Sequence, residues 1–239
     1  LLCILSGRIF KTEPTMTKTL RLGFIMGGGV SLGTFAGAAL TEALKQQLVY
    51  GQYPTGEKDA AGAPIFKRYD RIEVDVCSGA SAGAIALALL LRVLVNPRDQ
   101  YRFLGYASYE RLRQAMHRAL AAQFGAELGQ LLHQSPTTYE QLLAVQTAQA
   151  VQEKVWAKEV DLERFLGTGY YEKDLRGKAS FLDREVVDAL GKRLFPFEQP
   201  EAERVDHHTL LGKRVLFGCT LANLNHTLRQ ERAPHAPAG

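Results

Sequence analysis

Twice within its first 95 residues the chain repeats one unit: an apolar run, a glycine-rich turn and a helix pattern. Residues 20–26 (LRLGFIM) form a short apolar run ending at Gly27, the pattern of a strand buried in a parallel sheet. Residues 34–50 follow, with Phe35, Ala38, Ala39, Ala43, Leu44 and Leu48 recurring at spacings of three and four, as on one face of a helix. Residues 71–77 (RIEVDVC) alternate and carry β-branched side chains, so they read as a second strand. A Gly-Ala-Ser-Ala-Gly turn then leads into the apolar helix pattern of 84–95. Parallel strands cannot be joined by a tight turn and need a crossover, normally a helix. The repeated unit therefore predicts an α/β domain built on a parallel sheet with crossover helices.

The remaining segments are assigned around that frame. Residues 51–64 (GQYPTGEKDAAGAP), rich in Gly, Pro and charge, read as a surface loop. Residues 99–163 are helical in propensity throughout, and 213–221 (KRVLFGCTL) are a third strand candidate. Ser180 suits the N-cap of a helix over 181–194, with Asp183 completing a capping-box-like pattern. The expected organisation is an extension over 1–18, one domain over 19–228 with a helical insert at 99–212, and a Pro/Ala tail over 229–239. Residues 84–95, the longest nearly apolar run, fall well short of the roughly 20 a membrane span needs, so they read as a buried helix.

Composition excludes several classes of function. At 46% hydrophobic and 23% charged, the chain is too apolar for a disordered one and lacks the bias of a fibrous or low-complexity one. Cys3, Cys77 and Cys219 are too few and too scattered for a disulfide framework or a Cys-based zinc site, which makes a reducing, cytoplasmic setting the default. A net charge of +4, spread over 29 basic and 25 acidic residues, does not make a nucleic-acid surface. A peripheral membrane contact stays open.

The two turns carry the chemistry. Gly79-Ala80-Ser81-Ala82-Gly83 is a Gly-x-Ser-x-Gly between strand and helix, the setting of a nucleophile elbow. In such an elbow a strained turn exposes the serine hydroxyl, and the small flanking residues let strand and helix approach. The helix that follows aims its N-terminal N–H groups at developing negative charge. The other turn is Gly27-Gly28-Gly29-Val30-Ser31-Leu32-Gly33. A dinucleotide fingerprint would need glycine at 32, where Leu32 stands, and a phosphate-binding P-loop would need lysine at 34, where Thr34 stands. An oxyanion hole remains, since consecutive glycines let backbone N–H groups converge without a Cβ in the way. A purely structural glycine turn is the competing reading at each site.

These residues resemble the patatin-like phospholipase family, and most closely its bacterial branch with Gly-Gly-Val-Ser-Leu in the oxyanion loop, as at residues 28–32. The glycine turn after the first strand, the serine turn 52 residues beyond Gly29, and the segment 215–225 (VLFGCTLANLN) follow that family's order. The resemblance implies a three-layer α/β/α fold and hydrolysis of lipid esters. It gives Ser81 as nucleophile and backbone donors at Gly28, Gly29, Val30 and Ala82, framed by Gly27, Gly33, Gly79 and Gly83. It implies a lipid or acyl-ester substrate, with no cofactor, no metal and no nucleic acid. Two departures stand out. Val30, Ser31 and Leu32 include no basic residue, which common patatins carry there. The family's catalytic aspartate sits in Asp-Gly-Gly or Asp-Gly-Ala, and no Asp-Gly dipeptide occurs in these 239 residues, so the expectation is a fold incomplete at its C-terminal end with the aspartate beyond it.

Three alternatives remain open. A Ser-Asp-His triad of the α/β-hydrolase type could draw on His117, His133, His207, His208, His226 or His235, although that fold places several strands before its elbow. An acyltransferase would share the serine chemistry. A lipid- or acyl-binding module would keep the fold without turnover.

Overall fold

The computed structural model describes residues 18–28, 33–159, 189, 191–194 and 210–220. Three parallel strands form its main sheet. β1 (Thr19–Met26) pairs with β4 (Arg71–Ala80), from Thr19 opposite Arg71 to Met26 opposite Gly79, with one shift in register between Leu22 and Gly23. β5 (Leu211–Thr220) pairs along the other side of β4, which gives the order β1-β4-β5. Helix α1 (Gly33–Tyr50) follows β1, and α2 (Ala82–Val95) follows β4. Both strand–turn–helix units and the third strand thus fold as expected, with β5 beginning two residues earlier.

Successive strands are added in one direction, so connections of a single hand carry their helices to one face of the sheet. Burial follows that rule. Leu22, Phe24, Val74 and Cys77 lie on the face against which α2 packs. Ile25, Val76 and Leu216 point the other way and are 52%, 40% and 69% exposed. Among the described residues the helices therefore make one layer on one face, and no second helical layer covers the other. The helix expected over 181–194 also lies largely outside them, with 191–194 helical.

Residues 51–64 correct the sequence reading, because they are largely strand rather than loop. β2 (Gln52–Lys58) and β3 (Pro64–Arg68) form an antiparallel hairpin. Its turn is organised by Asp59, whose Oδ1 accepts from the amides of Ala61 (2.9 Å) and Ala63 (2.8 Å). The Thr55 hydroxyl donates to the Ile65 carbonyl at 3.0 Å, and Tyr53 packs on Tyr69 with ring centres 5.2 Å apart. The breakers Pro54 and Gly56 hid a strand held by cross-strand contacts.

Residues 99–159 are helical, as expected. They form α3 (Gln100–Leu104), α4 (Tyr109–Phe124), α5 (Ala126–Gln134) and α6 (Pro136–Lys154), and α6 runs on into a π-helical turn, Val155–Glu159. Ser108 caps α4 by accepting from the Arg111 amide at 3.3 Å. α6 is the central helix: it packs on α1, α2, α3, α4 and α5 and is buried on every side over residues 141–148. Its Leu142, Leu143, Val145 and Val151 share one core with β1, β4, α1 and α2. A buried cation pins this core, since Lys45 Nζ of α1 meets Glu42 Oε2 at 2.9 Å and donates to Gln123 Oε1 (2.6 Å) and Gln146 Oε1 (3.3 Å).

Candidate active site

β4 ends at Ala80 and α2 begins at Ala82, so a single residue, Ser81, turns the chain from strand into helix. Its backbone sits at φ 49° and ψ −127°, and among the described residues it is the only non-glycine with positive φ. A side chain held in such a region costs on the order of 1–3 kcal/mol, and this strain collects at sites where function requires it. The strain here aims the side chain outward: Ser81 is exposed at the mouth of an apolar 14-residue helix. The serine carbonyl accepts from the Ile85 amide at 3.2 Å, but the hydroxyl does not cap the helix. The first-turn N–H groups of Ala82, Gly83 and Ala84, which have no acceptor within the helix, stay available at its positive end.

The second turn packs directly on the first. A Cβ added to Gly28 would lie 2.6 Å from Ser81 Cβ and 2.9 Å from the Ala80 carbonyl oxygen. One added to Gly83 would lie 2.5 Å from the Gly27 carbonyl oxygen and 2.7 Å from that of Met26. Backbone thus touches backbone across two turns more than 50 residues apart in sequence, an approach that side chains would block. Gly79 is equally hemmed in, 2.6 Å from the Ala84 amide nitrogen by the same measure, whereas a Cβ on Gly27 would meet no atom within 4 Å. Ala82 is buried at the start of α2, and Gly33 opens α1 beneath the ring of Trp156. The structure therefore brings Gly27, Gly28, Gly79, Ser81, Ala82 and Gly83 together; Gly29 and Val30 lie outside the described residues.

Other candidates fall elsewhere. Cys77, four residues before Ser81, is fully buried in the sheet, and burial pushes its thiol up to about 12, so it is an inert core residue. His117 Nδ1 lies 2.8 Å from the Tyr139 hydroxyl between α4 and α6, and His133 lies in the last turn of α5. His207, His208, His226 and His235 lie outside the described residues. Asp75 pairs with Arg21 at 3.1 Å. Among the described residues no side chain hydrogen-bonds the Ser81 hydroxyl, and no group of three His, Cys, Asp or Glu could hold a metal ion. Exposed Phe35 and Ile85 stand in the first turns of α1 and α2, beside the two glycine turns. No described helix is long and apolar enough to cross a membrane.

The arrangement presents an exposed serine side chain at the N-terminus of α2, against the backbone of the glycine turn. Comparison with protein families, curated proteins and solved structures finds no match for this chain.

Proposed function

We propose that the chain carries the nucleophile and oxyanion elements of a serine acyl hydrolase for lipid esters, of the patatin-like phospholipase type. The single observation that supports this reading is the strained Ser81 turn, with the Gly27-Gly28 backbone packed against it. In the proposed reaction Ser81 Oγ attacks the ester carbonyl while its proton passes to a general base. The tetrahedral oxyanion is held by backbone N–H groups around Gly28, Gly29 and Val30 and by that of Ala82. Collapse expels the alcohol, which takes up a proton, and leaves an acyl-serine. Water then attacks this ester, releasing the fatty acid and restoring the hydroxyl. Losing one oxyanion donor typically costs about 2.7–4 kcal/mol of transition-state stabilisation. The general base is assigned to none of the described residues; the family pattern would supply it from an Asp-Gly dipeptide, which these residues lack. Exposed Phe35 and Ile85 support an apolar, lipid-like substrate and a peripheral membrane contact.

The lack of a described partner for the Ser81 hydroxyl favours a second reading, an acyl- or lipid-binding module without turnover. A fluorophosphonate probe separates the two, because it reacts with an activated serine. Covalent labelling that maps to Ser81 and disappears in Ser81→Ala supports the hydrolase. Absence of labelling, with a fatty acyl ester still bound, supports the module. Ester hydrolysis that survives Ser81→Ala refutes the assignment of Ser81.

A further inference from the structure

The helix pair that carries the two turns is held from behind by α6. Gln152 is 1% exposed, and both ends of its amide are used. Nε2 donates to the Ala86 carbonyl on α2 at 2.6 Å, and Oε1 accepts from Trp156 Nε1 at 2.9 Å. The same two side chains rest on α1. A Cβ on Gly37 would come within 2.7 Å of Gln152 Oε1, and a Cβ on Gly33 within 2.5 Å of the Trp156 ring. Gly33 and Gly37 are one helical turn apart, so they form a notch on one face of α1 into which the pair fits. Trp156 belongs to the π-helical turn Val155–Glu159, an irregularity found more often at functional sites than elsewhere.

Two local preferences are overridden here. A buried amide is tolerated only when its hydrogen bonds are made, whereas a leucine of similar volume would pack without them. Glycine inside a helix is less stable than alanine, yet Gly37 is needed to admit Gln152. Such departures at one contact mark a place where geometry matters more than stability.

We propose that Gln152 and Trp156 are positioning residues: they hold α1, and with it the glycine turn that enters it, in register with the α2 that carries Ser81. The proposal rests on the reading of Ser81 as nucleophile, and its test separates the two. Gln152→Leu keeps the volume and removes both hydrogen bonds; Trp156→Phe is the milder change, keeping a ring and removing the N–H. In the 239-residue chain, the second-order rate of Ser81 phosphonylation by a fluorophosphonate falls roughly tenfold to a hundredfold in Gln152→Leu and less in Trp156→Phe, as expected for a small misplacement of reacting groups. The thermal midpoint of Trp156→Phe stays near that of the parent, and Gln152→Asn, which keeps an amide, recovers part of the rate. Trp156 is the one tryptophan of the chain, so its emission changes when Ser81 is phosphonylated in the parent and not in Gln152→Leu. Rates within twofold of the parent in variants that fold overturn the proposal. The 239 residues contain no Asp-Gly base, so if the parent itself is not labelled the rate is silent on Ser81, and positioning is still measured by exchange. Hydrogen exchange over residues 37–41 then rises at least tenfold in Gln152→Leu relative to residues 44–50, and uniform exchange along α1 overturns the proposal.

Discussion

Replacing Ser81 by glycine and by alanine isolates the strain at the turn, because both changes remove the hydroxyl and only one relieves the backbone. Ser81 sits at φ 49° and ψ −127°, and its side chain neither caps α2 nor is buried. Loss of the hydroxyl should therefore cost little, and Ser81→Ala should match the parent within about 0.5 kcal/mol, as an ordinary exposed substitution does. Glycine adopts this conformation without the clash of a Cβ, which returns the on-the-order-of 1–3 kcal/mol held in the turn. Against that stands the larger backbone entropy of an unfolded glycine, about 0.5–1 kcal/mol. The balance makes Ser81→Gly more stable than Ser81→Ala by about 1 kcal/mol. For a chain of this size that corresponds to a rise in midpoint of roughly 2–4 °C. Urea titrations of the two variants at equal protein concentration, with matching m-values, give the difference directly. Equal stability, or a less stable glycine variant, refutes a strained turn. The elbow geometry, and with it the argument for Ser81 as nucleophile, would then fail.

Four further outcomes follow from the structure. Gly83→Ala drives a Cβ to 2.5 Å from the Gly27 carbonyl, where rigid backbone must give way, so it should destabilise by about 1–3 kcal/mol in denaturant titration and suppress labelling of Ser81. Gly27→Ala, with no atom within 4 Å of its Cβ, should leave the unfolding midpoint almost unchanged. The raised Cys77 thiol gives a pH dependence of definite sign. Between pH 9 and about 12 the unfolded chain ionises this thiol and the folded one does not, so stability falls as pH rises, by up to about 1.4 kcal/mol per unit. Cys77→Val should reduce that slope in urea titrations at pH 9 and 10.5. Iodoacetamide at pH 8, read by peptide mass spectrometry, should alkylate exposed Cys219 well before Cys77.

What was legible in the chain is what short-range chemistry dictates. The runs before Gly27 and Gly79 could be read as strands, and the parallel sheet followed from the two crossovers. Ser81 could be singled out because its motif specifies a local backbone turn. The hairpin β2–β3 was not legible: its stability comes from the Asp59 turn and the Tyr53–Tyr69 contact, while Pro54 and Gly56 argue locally for a loop. Nor was the packing at the glycine turn legible: a Cβ on Gly28 would press against Ser81, whereas one on Gly27 would meet no atom.

The case of α6 shows where such reading stops. Its sequence, PTTYEQLLAVQTAQAVQEK, is rich in glutamine and threonine and has no clear apolar stripe, the pattern of a solvated helix between domains. It is nevertheless the centre of the described core, and three of its polar residues, Gln146, Thr147 and Gln152, are used there rather than merely tolerated. Gln146 receives a hydrogen bond from Lys45, Thr147 donates to the Leu143 carbonyl at 2.9 Å, and Gln152 reaches the Ala86 carbonyl on α2. Two of these partners lie 66 and 101 residues away along the chain, beyond the reach of any local pattern. Directional bonds of this kind restrict a helix to one rotation and one register, where an all-leucine face could slide or turn. A central helix that must hold two turn-bearing helices at a fixed separation gains more from that restriction than from added apolar area. By that argument Gln146 and Gln152 of α6 set the geometry in which the Ser81 turn and the glycine turn meet.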